Sequence, residues 1–477
     1  MVFSSVVFIF YFLPVFLACY LTLPFKHAVL LFFSLCFYAY GEVLYTYVML
    51  GSIVLNWAFG IAIGMAEGRS RQLALAFGVA ANLAGLCYFK YLGFFHDIAA
   101  AVVPTIVSGP RPDVHLPLGI SFFTFHALSY LIDVYRRQVP VERSLVYVAV
   151  YITMFPQLVA GPIIRFHDIR EELHHRRATL AMFAAGFQIF IVGLAQKVLI
   201  ANTVAVPADA VFAFDPATLA APIAWLGVAC YTLQIFFDFA GYSTMAVGLG
   251  LMIGFHFPEN FRDPYAATSI TDFWRRWHIS LSSWFRDYLY IPLGGNRAGP
   301  LATYRNLLLV FLLCGLWHGA NWTFVVWGLW HGGFLVAERL GVSRALDACG
   351  AVVRHAYVML VVMVGWVFFR ADTLRQALGM LGAMAGQGQP GEDAAVLGQF
   401  LTPEVNLALA VGVVAATPLM GHAVRRGIEW LAGACGGGVI GRRVADGAYL
   451  AAMLAAFLLA VTSLAAGTYN PFIYYRF

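Results

Sequence analysis

Charge is scarce in this sequence. Only 11% of its 477 residues are Asp, Glu, Lys or Arg, while 61% are hydrophobic. That is less than half of the roughly 25% charged residues usual in a soluble domain. No soluble domain of any size can be cut from the chain, because apolar runs of about 17–25 residues, the length that crosses a bilayer, recur from end to end. Period-two alternation is also missing, so helices rather than a barrel must satisfy the backbone in lipid. Cysteine is sparse: seven are scattered through apolar sequence without a C-x-x-C pair. They read as small core residues, neither disulfides nor zinc ligands. The net charge of +5 is spread over short loops, as the positive-inside rule requires of cytoplasmic loops, and offers no nucleic-acid surface. Walker A, Gly-x-Ser-x-Gly, His-Glu-x-x-His and dinucleotide motifs are all absent. Their absence removes ATP hydrolysis and a serine nucleophile of the chain's own. The first apolar run, residues 2–19, has no basic n-region and no clear cleavage site, and is expected to be a retained first helix.

What is present is a series of spanning segments: residues 3–20, 28–41, 43–66, 73–95 and 116–134. The 68–71 loop, with Arg69 and Arg71, is expected on the cytoplasmic side. Residues 145–164 have arginines at both ends and are interrupted by Pro156 and Gly161-Pro162. A broken or re-entrant helix lining a cavity reconciles both facts. Residues 165–177 form a charged segment whose His174-His175 reads as solvated helix surface, since adjacent positions do not face each other. After a further span at 179–200, residues 222–254 are too long for one straight crossing and are predicted to make two helices or one broken helix. The spacing of Trp274, Trp277, His278, Leu281, Trp284, Phe285 and Tyr288 predicts one amphipathic helix over 272–289. Residues 306–340 would reach roughly 52 Å as one helix, against a bilayer core of about 30 Å, and must break or turn; Gly315 and Gly319 bracket His318 within them. Further apolar segments lie at 355–369, 374–386, 405–420 and 447–466, and arginine-rich loops are expected at 339–354 and 425–443. One membrane domain covers 1–477, with its chemistry concentrated at 238–335.

Within that centre, residues 271–333 place His278, His318 and His331 among aromatics. An ionisable side chain inside apolar sequence is a functional hypothesis by default. His318 admits two readings: a hydrogen-bonded histidine of the bundle, or a general base. Burial among Leu316, Trp317 and Trp322 would leave a neutral imidazole able to take a proton. Asn321, on nearly the same helical face, would orient that ring or stabilise an oxyanion. The flanking glycines would let a substrate approach closely. His331, about 20 Å further along a straight helix, cannot share a metal with His318 and reads as scaffold. His278 lies beside Trp274 and Trp277. Arg275 and Arg276 behind it either anchor an interface belt or face an anionic, phosphate-bearing ligand. Asp238 is the acid most deeply embedded in apolar sequence, suited to a proton relay or to an ion pair with a central arginine.

These residues fall in recognisable blocks. Pro117-Leu-Gly-Ile-Ser-Phe-Phe-Thr-Phe125, Phe155-Pro-Gln-Leu-Val-Ala-Gly-Pro162, Asp238-Phe-Ala-Gly-Tyr-Ser243 and Phe257-Pro-Glu-Asn260 resemble the membrane-bound O-acyltransferase family. So do Phe273-Trp-Arg-Arg-Trp-His-Ile-Ser-Leu-Ser282, Arg286-Asp-Tyr288, Pro292-Leu-Gly-Gly-Asn296 and Leu316-Trp-His-Gly-Ala-Asn-Trp322. The likeness is strong over 117–335 and extends, with the Asn470-Pro-Phe-Ile-Tyr474 ending, to the alginate O-acetyltransferase branch. It implies an all-α integral membrane protein, a ring of about 11–13 transmembrane and re-entrant helices around a thin centre with a tunnel. His318 would be the catalytic histidine and His278 a second functional one, with Trp277, Trp317, Asn321, Arg275, Arg276 and Asp238 lining the tunnel and no metal. The resemblance further implies acetyl-CoA as cytoplasmic acyl donor, with no bound cofactor. It implies a periplasmic serine-hydrolase-like partner, a polysaccharide acceptor and the bacterial inner membrane as location. Ala240 and Thr244 stand where that branch often has Ser and Asp, so no polar relay is carried over through that segment. D-alanyl transfer from a carrier protein to teichoic acid is the nearest alternative, and a transporter the alternative from another class.

Overall fold

The structure is a computed structural model that describes residues 1–105, 109–297, 299–388, 398–467 and 469–473; Tyr474 of the C-terminal motif lies outside them. It is built of helices, and no strand occurs among the described residues. Seven helices are long and apolar enough to cross a membrane: Thr46–Met65, Gly68–Val102, Leu180–Ala213, Ala221–Met252, Pro300–His318, Ala351–Arg370 and Gly438–Ala465. An eighth crossing results if Pro403–Ala415 and Leu419–Ala434, bent by 87° from each other, form one broken span. Shorter apolar helices at Phe8–Thr22, Lys26–Ala39 and Ile120–Tyr135 complete the apolar set. This is a multi-pass helical membrane protein.

The core is organised around Ala221–Met252, one unbroken 32-residue helix that is 83% buried over its most apolar window. The two-helix expectation is corrected here. Length forces a break only in a helix that must keep its ends in water, and this one is enclosed by protein. Its packing against Leu180–Ala195 is glycine-mediated: a Cβ at Gly193 would meet Gly241 O at 2.5 Å, and one at Gly248 would meet Gly186 O at 2.5 Å. Such backbone contact is how membrane helices associate where lipid gives no hydrophobic drive.

The 145–164 segment is broken as expected, into Leu145–Thr153 and Phe155–Leu158 followed by an irregular stretch to Arg165. Residues 272–289 correct the single-helix expectation. They form Ile270–Arg276 and Ile279–Phe285, separated at Trp277–His278 and followed by a π-helical turn at Arg286–Tyr290. Residues 425–443 are largely helical rather than a loop, with the turn confined to about Cys435–Gly437.

The charged segment closes the arginine-bearing face. There the buried Asp133 carboxylate accepts from Tyr288 Oη (2.6 Å) and lies 2.9 Å from His167 Nδ1. The hydrogen bond to Asp133, with help from Asp168, raises the His167 pKa from 6.5 to about 9. A pKa raised by folding stabilises the protein fully below the unfolded value and is lost as pH rises through the folded one. The thermal unfolding midpoint of the detergent-solubilised protein should therefore fall between pH 6.5 and 9, and His167→Gln should flatten that decline. An equal decline in the variant would assign it to other groups.

Candidate active site

His318 is the last residue of Pro300–His318, and the chain reverses through Gly319–Asn321 into Trp322–Ala337. The turn required by length thus falls immediately after the histidine. Gly319 is extended (φ −164°), and a Cβ there would strike the Phe324 ring at 2.1 Å. The space beside this glycine is filled by the protein itself, not left for a substrate.

A helix end leaves four carbonyls without intrahelical partners, and here all four are accounted for. Gly319 N donates to Gly315 O (3.2 Å) and Tyr91 Oη to Leu316 O (2.7 Å). Lys90 Nζ donates to Trp317 O and to His318 O (3.3 Å), and is also 3.2 Å from Ser121 Oγ. Lys90 and Tyr91 come from the π-helical turn Cys87–Tyr91 inside the Gly68–Val102 span. A cation at a helix C-terminus also suits the negative end of its dipole. The backbone of His318 is therefore held from another third of the chain.

The His318 ring is 5% exposed and packed edge-on by Trp317 (4.9 Å between centroids), Trp327 (5.0 Å) and Phe369 (5.1 Å). Trp322, expected in this wall, is instead 51% exposed and packs on Phe94. Two cavities meet at His318. One, of about 280 Å³, has a mixed lining in which Glu42, Lys90, His115 and Ser121 stand among apolar residues and Trp317. The other is nearly closed, about 10 Å³, and walled by Phe239, Trp277, Trp327, Trp366, Phe369 and Ile473 among others.

His278 caps Ile279–Phe285 from a left-handed conformation (φ 42°, ψ 56°). Such strain persists only where the surroundings over-determine it, and Asn260 does so. Its carbonyl accepts from Ile279 N (2.9 Å), and its Oδ1 accepts from Ser280 N (3.1 Å) and Ser280 Oγ (2.9 Å). The same Oδ1 lies 3.1 Å from His278 Nδ1, which makes that nitrogen the donor and leaves Nε2, buried and without a protein partner, as the basic one. Trp317 lies between the two histidine rings, 6.3 Å from His278 and 4.9 Å from His318.

The other expected site residues divide. Trp277 and Trp317 do line the two cavities. Asn321 does not share a face with His318, because the helix ends between them. Its Oδ1 caps Trp322–Ala337 by accepting from Thr323 N (3.2 Å), and its Nδ2 donates to Asp372 O (2.9 Å). Arg275 is exposed, and Arg276 pairs with Asp272 at 2.9 Å. Asp238 is ion-paired, but to Lys197 (2.5 Å) rather than to an arginine. That buried pair also anchors the C-terminal segment: Lys197 Nζ donates to Pro471 O, and Asp238 Oδ2 accepts from Ile473 N (2.9 Å). His331 is fully buried against Trp274 and Trp327. No metal-holding group of His, Cys, Asp or Glu occurs among the described residues.

Lys90, Asn260, Ser280 and the buried Glu338, which caps Ile270–Arg276 through Ile270 N and Thr271 N, were missed by sequence reasoning. For Lys90 and Lys197 a signal existed, since each is a lone cation inside an apolar run.

The family model for the membrane-bound O-acyltransferase family matches residues 105–369. An Azotobacter vinelandii protein named "Probable alginate O-acetylase AlgI" is 43% identical over 100% of both chains. Its Pseudomonas aeruginosa namesake is 46% identical over 80% of this chain and 75% of the relative. A Helicobacter pylori "Peptidoglycan O-acetyltransferase" is 37% identical over 81% and 80%. With the histidine at the meeting of two cavities, these likenesses mean that the chain belongs to the membrane-bound O-acyltransferase family and is an O-acyltransferase.

Proposed function

We propose that the protein moves an acetyl group from cytoplasmic acetyl-CoA across the bacterial inner membrane for O-acetylation of an extracytoplasmic polysaccharide. The observation that carries this reading is that two unlike cavities share His318, one of mixed lining that includes Glu42, Lys90 and His115 and one walled largely by aromatic rings. Sidedness supports the direction. Arginines cluster at 69–71, 136–143 and 165–177, which the positive-inside rule assigns to the cytoplasm. The larger cavity is lined by Glu42 and by residues 115–122, on connections one crossing away from those arginines. It would admit the acceptor. Names of two relatives specify O-acetyl transfer to different polymers, in keeping with an acetyl donor.

In the mechanism, His318 takes the proton of the acceptor hydroxyl as its oxygen bonds to the thioester carbonyl carbon. The carbon–sulfur bond then breaks, and the CoA thiolate leaves and takes up the proton. Alternatively, the imidazole nitrogen bonds to the thioester carbonyl carbon as the carbon–sulfur bond breaks and CoA thiolate leaves, and the acceptor hydroxyl oxygen then displaces the imidazole while its proton passes to the thiolate. Positioning of donor and acceptor supplies much of the remaining rate. Trp277 and Trp317 shape the path, and His278 Nε2 offers a second basic nitrogen along it. The acceptor hydroxyl belongs to a periplasmic serine-hydrolase-like partner that completes transfer to the polysaccharide.

Purified protein should bind radiolabelled acetyl-CoA and release free CoA when given a hydroxyl acceptor. Absence of binding, together with capture of an acylated carrier protein, would replace this reading by D-alanyl transfer. Solute flux through proteoliposomes without acyl transfer would replace it by transport.

A further inference from the structure

On the arginine-bearing face, away from His318, a cleft of about 680 Å³ opens between the N-terminal helices, the start of Leu145–Thr153 and the segment after Phe166–His175. It shares no lining residue with either His318 cavity. Two permanent cations line it, Lys26 and Arg176, and no Asp or Glu does. Lys26 Nζ donates to Tyr20 O and Leu21 O (3.1 Å) and sits 5.2 Å from the Tyr20 ring centroid. Arg176 Nε donates to Tyr20 Oη (2.8 Å) and Nη1 to Leu173 O (3.2 Å), with the guanidinium 4.6 Å from the Phe255 ring. Its Nη2 is buried and has no hydrogen-bond partner. His174, at the cleft, lies 2.8 Å from Glu142, which does not itself line the cleft. Among the described residues neither Lys26 nor Arg176 forms an ion pair.

Two cations held by aromatic rings, carbonyls and the His27 ring (Arg176 Nη1 to His27 Nε2, 2.9 Å) form no ion pair among the described residues. Leaving such charge unpaired is costly. The donor set, a lysine ammonium beside a guanidinium, suits the several oxygens of a phosphate better than a single carbonyl. Leu21, Phe25 and Val146, at the same cleft, are exposed and apolar (50%, 73% and 41%), as at a boundary with lipid chains. Basic pockets between membrane helices on the cytoplasmic side are the usual place for anionic headgroups.

We propose that the Lys26–Arg176 cleft binds a phosphate group, carried either by an anionic lipid headgroup or by a soluble phosphate compound. The full chain, delipidated in detergent, is titrated in parallel with phosphatidylglycerol, with phosphatidylcholine and with inorganic phosphate against chloride at equal ionic strength. Thermal unfolding and retained phosphorus are the readouts. Phosphatidylglycerol should raise the unfolding temperature by several degrees and remain bound, and Lys26→Gln/Arg176→Gln should weaken that binding at least tenfold. Stabilisation by phosphatidylglycerol alone assigns a lipid; stabilisation by inorganic phosphate assigns a soluble ligand. Arg176→Lys, which keeps the charge, should retain part of the effect and guards against a misfolded double variant, whose acyl transfer provides a second check on folding. Equal binding by wild type and double variant, or no preference for phosphatidylglycerol or phosphate over their controls, overturns the proposal.

Discussion

Replacing His318 by alanine should reduce acyl transfer about 10²–10⁴-fold, the usual contribution of a positioned general base, while leaving the protein folded. The second half of this expectation rests on what holds the region. The last four carbonyls of Pro300–His318 are satisfied by Gly319, Tyr91 and Lys90, and none of those bonds uses the imidazole. His318→Gln, closer in volume, should keep the aromatic packing and lose activity to a similar degree. The two proposed roles separate in a pre-steady-state assay without acceptor. A burst of free CoA equal to the enzyme concentration marks an acyl-carrying imidazole, and no burst marks a base. A folded His318→Ala protein with wild-type turnover would remove the residue from the chemistry altogether.

Lys197→Met should be the most destabilising single change among the polar residues discussed. Lys197 and Asp238 are 0% and 1% exposed, and removing one partner of a buried pair typically costs about 3–5 kcal/mol because the other charge is stranded. The lysine also donates to Asn202 Oδ1 (2.6 Å) and Pro471 O, so its loss frees the C-terminal segment as well. Lys197→Met/Asp238→Leu removes both charges and should recover much of the loss, as apolar replacements of buried pairs commonly do. Unfolding temperature and monodispersity in detergent report both effects. A single variant as stable as wild type would show that the pair does not hold the bundle.

Much of this architecture was legible because bilayer thickness is a hard limit. The 306–340 run was too long for one crossing, and the chain does turn there, at Gly319–Asn321. The same rule misled at Ala221–Met252, since length limits a helix only when lipid and water surround it, and the glycine contacts enclosing this one join residues about 50 to 60 positions apart. The break at His278 was hidden for a different reason. The aromatic spacing runs through it undisturbed, while the cause of the kink, Asn260, lies 18 residues upstream in an irregular segment. Histidines were found by their contrast with apolar neighbours, and that test works on the residue alone. For Asp238 it left a proton relay and an ion pair with an arginine both open, and the structure pairs it with Lys197. The work of Lys90, 227 residues from the carbonyl it caps, belongs to tertiary structure.

The segment at 469–473 makes one wall of the site depend on residues far apart in sequence. Asn470 Nδ2 donates to Ser4 O (2.8 Å), Ile473 is tied to Asp238, and Ile473 also walls the small cavity beside His318. Ser4 and Asn470 stand 466 positions apart and Ile473 and Asp238 stand 235 apart, so this wall forms only after distant parts of the chain have packed together. Individual helices can thus be inserted in the bilayer while the wall beside His318 is still unbuilt, and the site belongs to the finished bundle rather than to any one helix.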